Sequence, residues 1–218
     1  MTAYRQLGDR DAEGEALYNL AFVPVLRNDN VESRRRFEAS LAFATELSNP
    51  NLVAKSQSSL GIVLVVGGEP TAGLSLMEQA HDSFQAAGDR FQMAWNLGQM
   101  GQAQRLLGHM AEGRARFREG LRMHLEARNL PGLGASFGSI SALESDAGRH
   151  MEAMRLMGAA LVVTSTTGAS APRLFLRIED VEEQARQAIG DEAVEQALAE
   201  GRNMSLDEAV AYAESLSD

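Results

Sequence analysis

Gly134-Ala135-Ser136-Phe137-Gly138 has the G-x-S-x-G spacing of a serine nucleophile, and Asp146 and His150 follow in the order of a hydrolase triad. The chemistry such a set serves is acyl transfer, in which a strained strand-to-helix turn presents the serine oxygen and a histidine steadied by an acid takes its proton. Here Asp146 and His150 stand only ten and fourteen residues beyond Ser136, and no alternating β pattern supplies the sheet that the turn requires. No catalytic residue is assigned, and the chain is expected not to be an enzyme. Gly132, Gly134 and Gly138 miss the G-x-G-x-x-G spacing of a dinucleotide loop, and no G-x-x-x-x-G-K-[ST] occurs. His81, His109, His124 and His150 contain no H-x-x-x-H or H-E-x-x-H pair, although His109 and His150 fall at turns of successive repeats. The chain has no cysteine, which excludes disulfides, thiolate catalysis and Cys-based zinc sites. No metal and no cofactor is assigned.

The elements that position these residues follow a step of 40. Gly68, Gly108 and Gly148 share one column, and Asn28 holds its first slot. Leu20, Leu60, Met100 and Ile140 form an apolar column, and Phe37, Met77, Phe117 and Met157 another. Ala21, Gly61, Gly101 and Ser141 form a small-residue column, as do Ser33, Gly73, Gly113 and Ala153. A fixed period of this size marks a repeat array in which each unit buries its apolar face against its neighbours. Each unit reads as two helices. The first spans 11–27, 51–67, 91–107 and 131–147; the second spans 30–47, 70–87, 110–127 and 150–167. Glu32, Glu112 and Glu152 sit in first turns, where they oppose the helix dipole and are placed to close capping boxes. Glycine inside a helix costs about 1 kcal/mol against alanine, so Gly61, Gly73, Gly101 and Gly113 imply close helix approach. Met77, Met93, Met100, Met123, Met154 and Met157 mostly sit at core spacing and read as core.

Residues 1–8 align with 41–48, the end of a second helix, so residues 1–10 read as the end of a preceding repeat cut short, or residues 1–8 as a short capping helix. Residues 11–170 hold four repeats. Residues 171–218 carry 12 acidic residues against 4 arginines and read as an acidic cap of three helices, over 173–188, up to 200 and up to 216. Ser205-Leu206-Asp207-Glu208 has the capping-box spacing.

Across 218 residues the formal charge is −10, from 30 acidic and 20 basic residues. Neither part is basic, so direct nucleic acid contact is not expected. Arg34-Arg35-Arg36 is flanked by Glu32 and Glu38 and reads as a solvated face. The longest apolar run, Ile62 to Val66, is far below the ~18–20 residues that span a bilayer. With no apolar N-terminal signal, a soluble cytoplasmic protein without membrane contact is expected.

The order Leu60-Gly61, Gly68, Gly73, Met77, repeated as Met100-Gly101, Gly108, Gly113, Phe117, resembles the tetratricopeptide repeat (TPR). The usual unit has about 34 residues, so this one is longer, the addition falling within the helices. The resemblance covers residues 1–168 and implies an all-α, right-handed TPR-like solenoid of four helix pairs with a three-helix C-terminal cap. A second resemblance lies in Ala199-Glu200-Gly201-Arg202-Asn203-Met204-Ser205-Leu206-Asp207-Glu208-Ala209, with Gly190-Asp191 and Met157-Gly158-Ala159-Ala160 before it. It is similar to the C-terminal region of large actinobacterial-type regulators that join a signalling ATPase to TPR-like repeats, many with a LuxR-type DNA-binding domain. Gln196-Ala197-Leu198 departs from that pattern, where a tryptophan and a small residue are usual.

The TPR resemblance implies a concave face lined by the first helices. By repeat phase that face includes Tyr18, Phe22, Lys55, Ile62, Trp95, Gln99, Gln102 and Arg105. Aromatic and Arg residues are favoured binding anchors, and the set suits a protein or peptide partner, or a small effector with an acidic group. The Asn19 column reads Asn19, Ser59, Gln99, Ser139, which lacks the chaperone-tail clamp. The expected function is a non-enzymatic scaffold, the sensor or interaction region of a bacterial regulator. A small-molecule enzyme on a helical scaffold and a self-association module, such as a homodimer, are the alternatives.

Overall fold

A computed structural model of the chain describes residues 8–167 and 178–216. The expectations for residues 1–7 and for a helix start at 173 lie outside the described residues. Among those described there are twelve α-helices and no strand. They form two compact units that divide after Leu107. The N-terminal unit holds α1 (Arg10–Leu20), α2 (Phe22–Val25), α3 (Asn30–Glu46), α4 (Pro50–Val66), α5 (Pro70–Ala87) and α6 (Arg90–Leu106). The C-terminal unit holds α7 (Met110–Glu126), α8 (Leu130–Asp146), α9 (His150–Thr167), α10 (Ile178–Ile189), α11 (Asp191–Arg202) and α12 (Leu206–Ser215).

Helix starts recur at 10, 50, 90 and 130, and at 30, 70, 110 and 150. Two residue choices set this phase. A left-handed residue stands two positions before each of these eight helix starts, at Gly8, Asn28, Ser48, Gly68, Gly88, Gly108, Arg128 and Gly148. Directly after five of them stands a side-chain cap: Asp9, Asp29, Asn49, Asp89 and Asn129 each accept from the N–H three residues on. Each such cap is worth about 1 kcal/mol. Arg128, at φ 51°, bears the left-handed strain that glycine avoids. The turn around it is closed by Asn129 N–H donating to the His124 carbonyl at 2.9 Å.

Three local expectations need correction. The predicted helix over 11–27 breaks at Ala21 into α1 and α2. The cause is Pro24, which has no N–H for the carbonyl of Leu20 and whose ring crowds it. Arg36 takes the vacant place, donating to the Leu20 carbonyl at 3.1 Å. Leu20, at the break, is 44% exposed, whereas Leu60, Met100 and Ile140 in its column are buried. Capping boxes do not form at Glu32 or Glu112. Glu32 is drawn instead to Arg35 and Arg36 at 2.7 Å, and their guanidiniums hold its carboxyl at about 2. The N-cap of α7 is His109, whose side chain makes no cap bond. The box at Ser205 and Glu208 is complete.

In the N-terminal unit the predicted close approach is found where α4 crosses α5. A Cβ on Gly73 would lie 2.4 Å from the Gly61 carbonyl oxygen. Phe37, Met77, Phe84 and Leu97 are buried in this unit. In the C-terminal unit α9 packs against α8 and α11, and Met154 and Met157 meet Val181 of α10 and Val194 and Leu198 of α11.

His124 ties a buried imidazole to a helix cap. It is 3% exposed and lies against Gly132, where a Cβ would come within 2.3 Å of its ring. Asn129 Oδ1 accepts from the Gly132 N–H at 3.2 Å, so Asn129 Nδ2 is the group that faces His124 Nδ1 at 3.1 Å. Nδ1 is therefore an acceptor and the ring is neutral. Burial lowers its pKa to about 4. The unfolded chain protonates this residue near 6.5, so between the two values the unfolded state binds more protons. Stability then rises with pH and is lost as pH falls through that window, by about 2.5 kcal/mol between pH 7 and 4.5. Urea melts of the wild type and His124→Gln at both pH values check this: the variant's loss should be smaller by about that amount. Equal losses would refute it.

Candidate functional site

The face formed by α1, α4 and α6 carries the residues assigned to binding. These helices lie side by side in the N-terminal unit. Their contacts join positions about one repeat apart. Glu15 and Lys55, which share a column, are paired, with Lys55 Nζ 3.0 Å from both carboxylate oxygens. The Tyr18 hydroxyl lies 3.0 Å from Ser59 Oγ, and Lys55 Nζ stands 5.3 Å from the Tyr18 ring centroid. Ser58 Oγ lies 2.7 Å from Asn96 Oδ1 and 2.9 Å from Gln99 Oε1, and its single proton serves one of them at a time. Asn96 is fully buried and donates to the Met77 carbonyl at 2.7 Å, which fastens α6 to α5.

Two aromatic groups stand on this polar seam. Tyr18 and Phe22 pack edge-on at 5.3 Å, and Phe22 meets Phe37 at 5.0 Å. Burial raises the Tyr18 pKa, the Ser59 bond opposes that and Glu15 adds to it, so the phenol stays neutral. Trp95 pairs with Phe91 at 6.5 Å, edge to face. Phe91 is 56% exposed, a large apolar ring left in water beside the only tryptophan.

The structure brings Tyr18, Phe22 and Lys55 together, joins Gln99 to Ser58, and sets Arg105 Nε 3.2 Å from Gln102 Oε1. Ile62 and Gln102 are each only 6% exposed and so belong to the floor of the face. The Lys55 charge is already matched by Glu15. Phe91, Glu15 and Asn96 belong to the arrangement but were not singled out from the sequence. Phe91 precedes Trp95 by four residues, the spacing that puts two side chains on one helix face.

Ser136 does not sit on a strand-to-helix elbow. Ser136 lies inside α8 and donates back to the Gly132 carbonyl at 3.0 Å, and His150 Nδ1 faces Ser145 at 3.4 Å. The elbow requires a strand before the serine, and residues 130–146 are one helix. Among the described residues no group of three or more His, Cys, Asp or Glu is placed to hold a metal. No described helix is long and apolar enough to cross a membrane.

No family model matches the chain. Three curated proteins, provisionally named HTH-type transcriptional regulators, are each 38% identical to it over 80 residues; one is from Mycobacterium bovis and two are from strains of Mycobacterium tuberculosis. The match covers 34% of this chain and 9% of theirs, so the chain spans under a tenth of the length of these relatives. Among solved structures, TPR-like repeats of a provisionally named kinesin light chain from Podosopora anserina align with 93% of this chain and 97% of that one, with TM-score 0.58 and 16% identity. A point variant of the same protein aligns with 86% and 92%, at the same score and identity. At that identity the likeness speaks for the fold: the chain is an all-α helical-repeat protein of TPR-like architecture.

Proposed function

We propose that this chain is a non-enzymatic recognition scaffold, the sensor or interaction region of a larger bacterial transcriptional regulator that works in the cytoplasm. The partner is a protein or peptide that inserts an apolar side chain against Phe91 and Trp95 on the α1–α4–α6 face. The observation that carries this reading is the exposed Phe91 ring set edge to face against Trp95 beside a seam of amide and hydroxyl groups. Large aromatics with adaptable polar neighbours are what protein-binding faces concentrate. Part of the reading rests on the fold, which suits scaffolding, and on the regulator name of the partial relatives.

The test is capture of partners from a bacterial lysate on the immobilised chain, with affinities then measured for whatever is retained. Phe91→Ala, Trp95→Ala and Arg105→Ala should each weaken binding, the first two by about 30-fold, as expected for anchor residues worth ~2 kcal/mol. Phe91→Ala carries most weight because an exposed ring contributes little to folding. Unchanged retention by all three variants would remove the face from consideration.

A further inference from the structure

Glycine weakens the interior of a helix, because its backbone has the most freedom to lose on folding. Six helical glycines of this chain are explained by crowding. A Cβ on Gly14, Gly61, Gly73, Gly132, Gly158 or Gly201 would meet a neighbour at 2.7 Å or less. Gly98 has no such reason. It lies inside α6, partly exposed, and nothing stands within 4 Å of the place its Cβ would take. Phe91, Trp95, Gly98 and Gln102 follow at steps of four, three and four, so they share one face of α6. Gly98 is the gap in that row, one turn after Trp95 and one turn before Gln102.

The amides on either side of the gap do not balance. Ser58 Oγ lies 2.7 Å from Asn96 Oδ1 and 2.9 Å from Gln99 Oε1, with one proton for the two. Asn96 is fully buried and its Nδ2 is committed to the Met77 carbonyl, so the proton belongs to Asn96 Oδ1. Gln99 is only partly buried. Turning its amide over lets Nε2 donate to Ser58 Oγ and leaves Oε1 as an acceptor on the side away from Ser58. An acceptor beside a gap in a helix surface suits an incoming main chain. An extended chain brings unpaired N–H groups, whereas a helix has its own in use beyond the first turn. Resting on the binding role proposed for the α1–α4–α6 face, we infer that an extended peptide segment of the protein partner lays its main chain against α6 at Gly98. One of its N–H groups donates to Gln99 Oε1, and the apolar side chain next to it meets Trp95 and Phe91. Alanine at 98 would make a better helix and a worse site.

The probe is a linear peptide selected on the immobilised full chain from a phage-displayed library, then measured by fluorescence anisotropy. Gly98→Ala should bind it roughly tenfold more weakly, because a methyl group intrudes on the main-chain contact. The same variant should melt about 2–4 °C higher, because alanine is the better helix former and meets nothing in the fold. Weaker binding with higher stability is a pair of effects that general damage to the fold does not produce. Methylating the peptide N–H groups one at a time should find a position that costs about tenfold in wild type and little in Gln99→Leu, which has no acceptor to lose. A peptide indifferent to Phe91→Ala, or a selection that returns none, would refute the face and this inference with it. A peptide that needs Phe91 yet binds Gly98→Ala as tightly as wild type would leave the face standing and overturn the main-chain approach. A lower Tm in Gly98→Ala would overturn it too, since the fold itself would then require the glycine. So would a peptide for which no methylation matters, because its N–H groups would then be those of a helix or not in contact.

Discussion

Replacing Glu144 by glutamine is expected to cost the C-terminal unit about 3–5 kcal/mol, the penalty for stranding a buried charge. The Glu144 side chain is fully buried, and its carboxylate joins Arg114, whose side chain is 5% exposed, to Arg149, which is 34% exposed. Glutamine keeps the shape and one acceptor oxygen but removes the charge. Arg114 would then keep the Leu216 carbonyl at 3.4 Å but lose the buried carboxylate it meets on α8. The loss should be much smaller when both members are replaced, as in Glu144→Leu with Arg114→Met, because well-packed apolar residues often match a buried ion pair. Urea denaturation of the two single variants and the double one measures the coupling. A loss under about 1 kcal/mol in Glu144→Gln would mean that water reaches Arg114.

This pair also shows which parts of the chain were legible in advance. The column of Glu144 holds Pro24, Leu64 and Gln104, and that of Arg114 holds Arg34, Leu74 and Met154. Neither column announces a buried charge, because the pair is a departure from the repeat. What recurs was readable: the second-helix starts at 30, 70, 110 and 150 were predicted to the residue, since the left-handed turn residue recurs there. What occurs once was not. Pro24 breaks a helix that the other three repeats keep whole, and averaging over columns hides it. Phe91 shares its column with Asp11, Asn51 and Pro131, so periodicity gave no reason to place a ring there. The Glu15–Lys55 pair sits one period apart, and is visible as a contact only once helices of equal phase are known to touch. The assigned face residues came from phase alone. Phase names a helix face but does not say which side chains are already satisfied, and so it offered Lys55 and Gln102 alongside Trp95.

Gly201→Ala should destabilise the packing of α11 on α9 by about 3 kcal/mol, at the upper end of ordinary overpacking costs. Propensity alone predicts the opposite sign, since alanine inside a helix gains about 1 kcal/mol over glycine. Geometry decides between them. A Cβ at residue 201 would lie 1.9 Å from the Arg155 carbonyl oxygen, and one at Gly158 would lie 2.3 Å from the Leu198 carbonyl oxygen. Both obstacles are backbone, so no rotamer relieves them and the helices must separate. Separation would also stretch the Arg155–Glu200 ion pair, now at 2.6 Å. The stretches around Gly158 and around Gly201 therefore meet as a backbone contact that docks α11. A thermal melt and hydrogen exchange should show lower stability and faster exchange in α11, with α1–α6 unchanged. Gly158→Ala added to Gly201→Ala should cost less than it does alone, because the first substitution has already opened the gap. Stability within about 0.5 kcal/mol of wild type for Gly201→Ala would mean that α11 can shift without loss, and that the contact does not hold the cap in place.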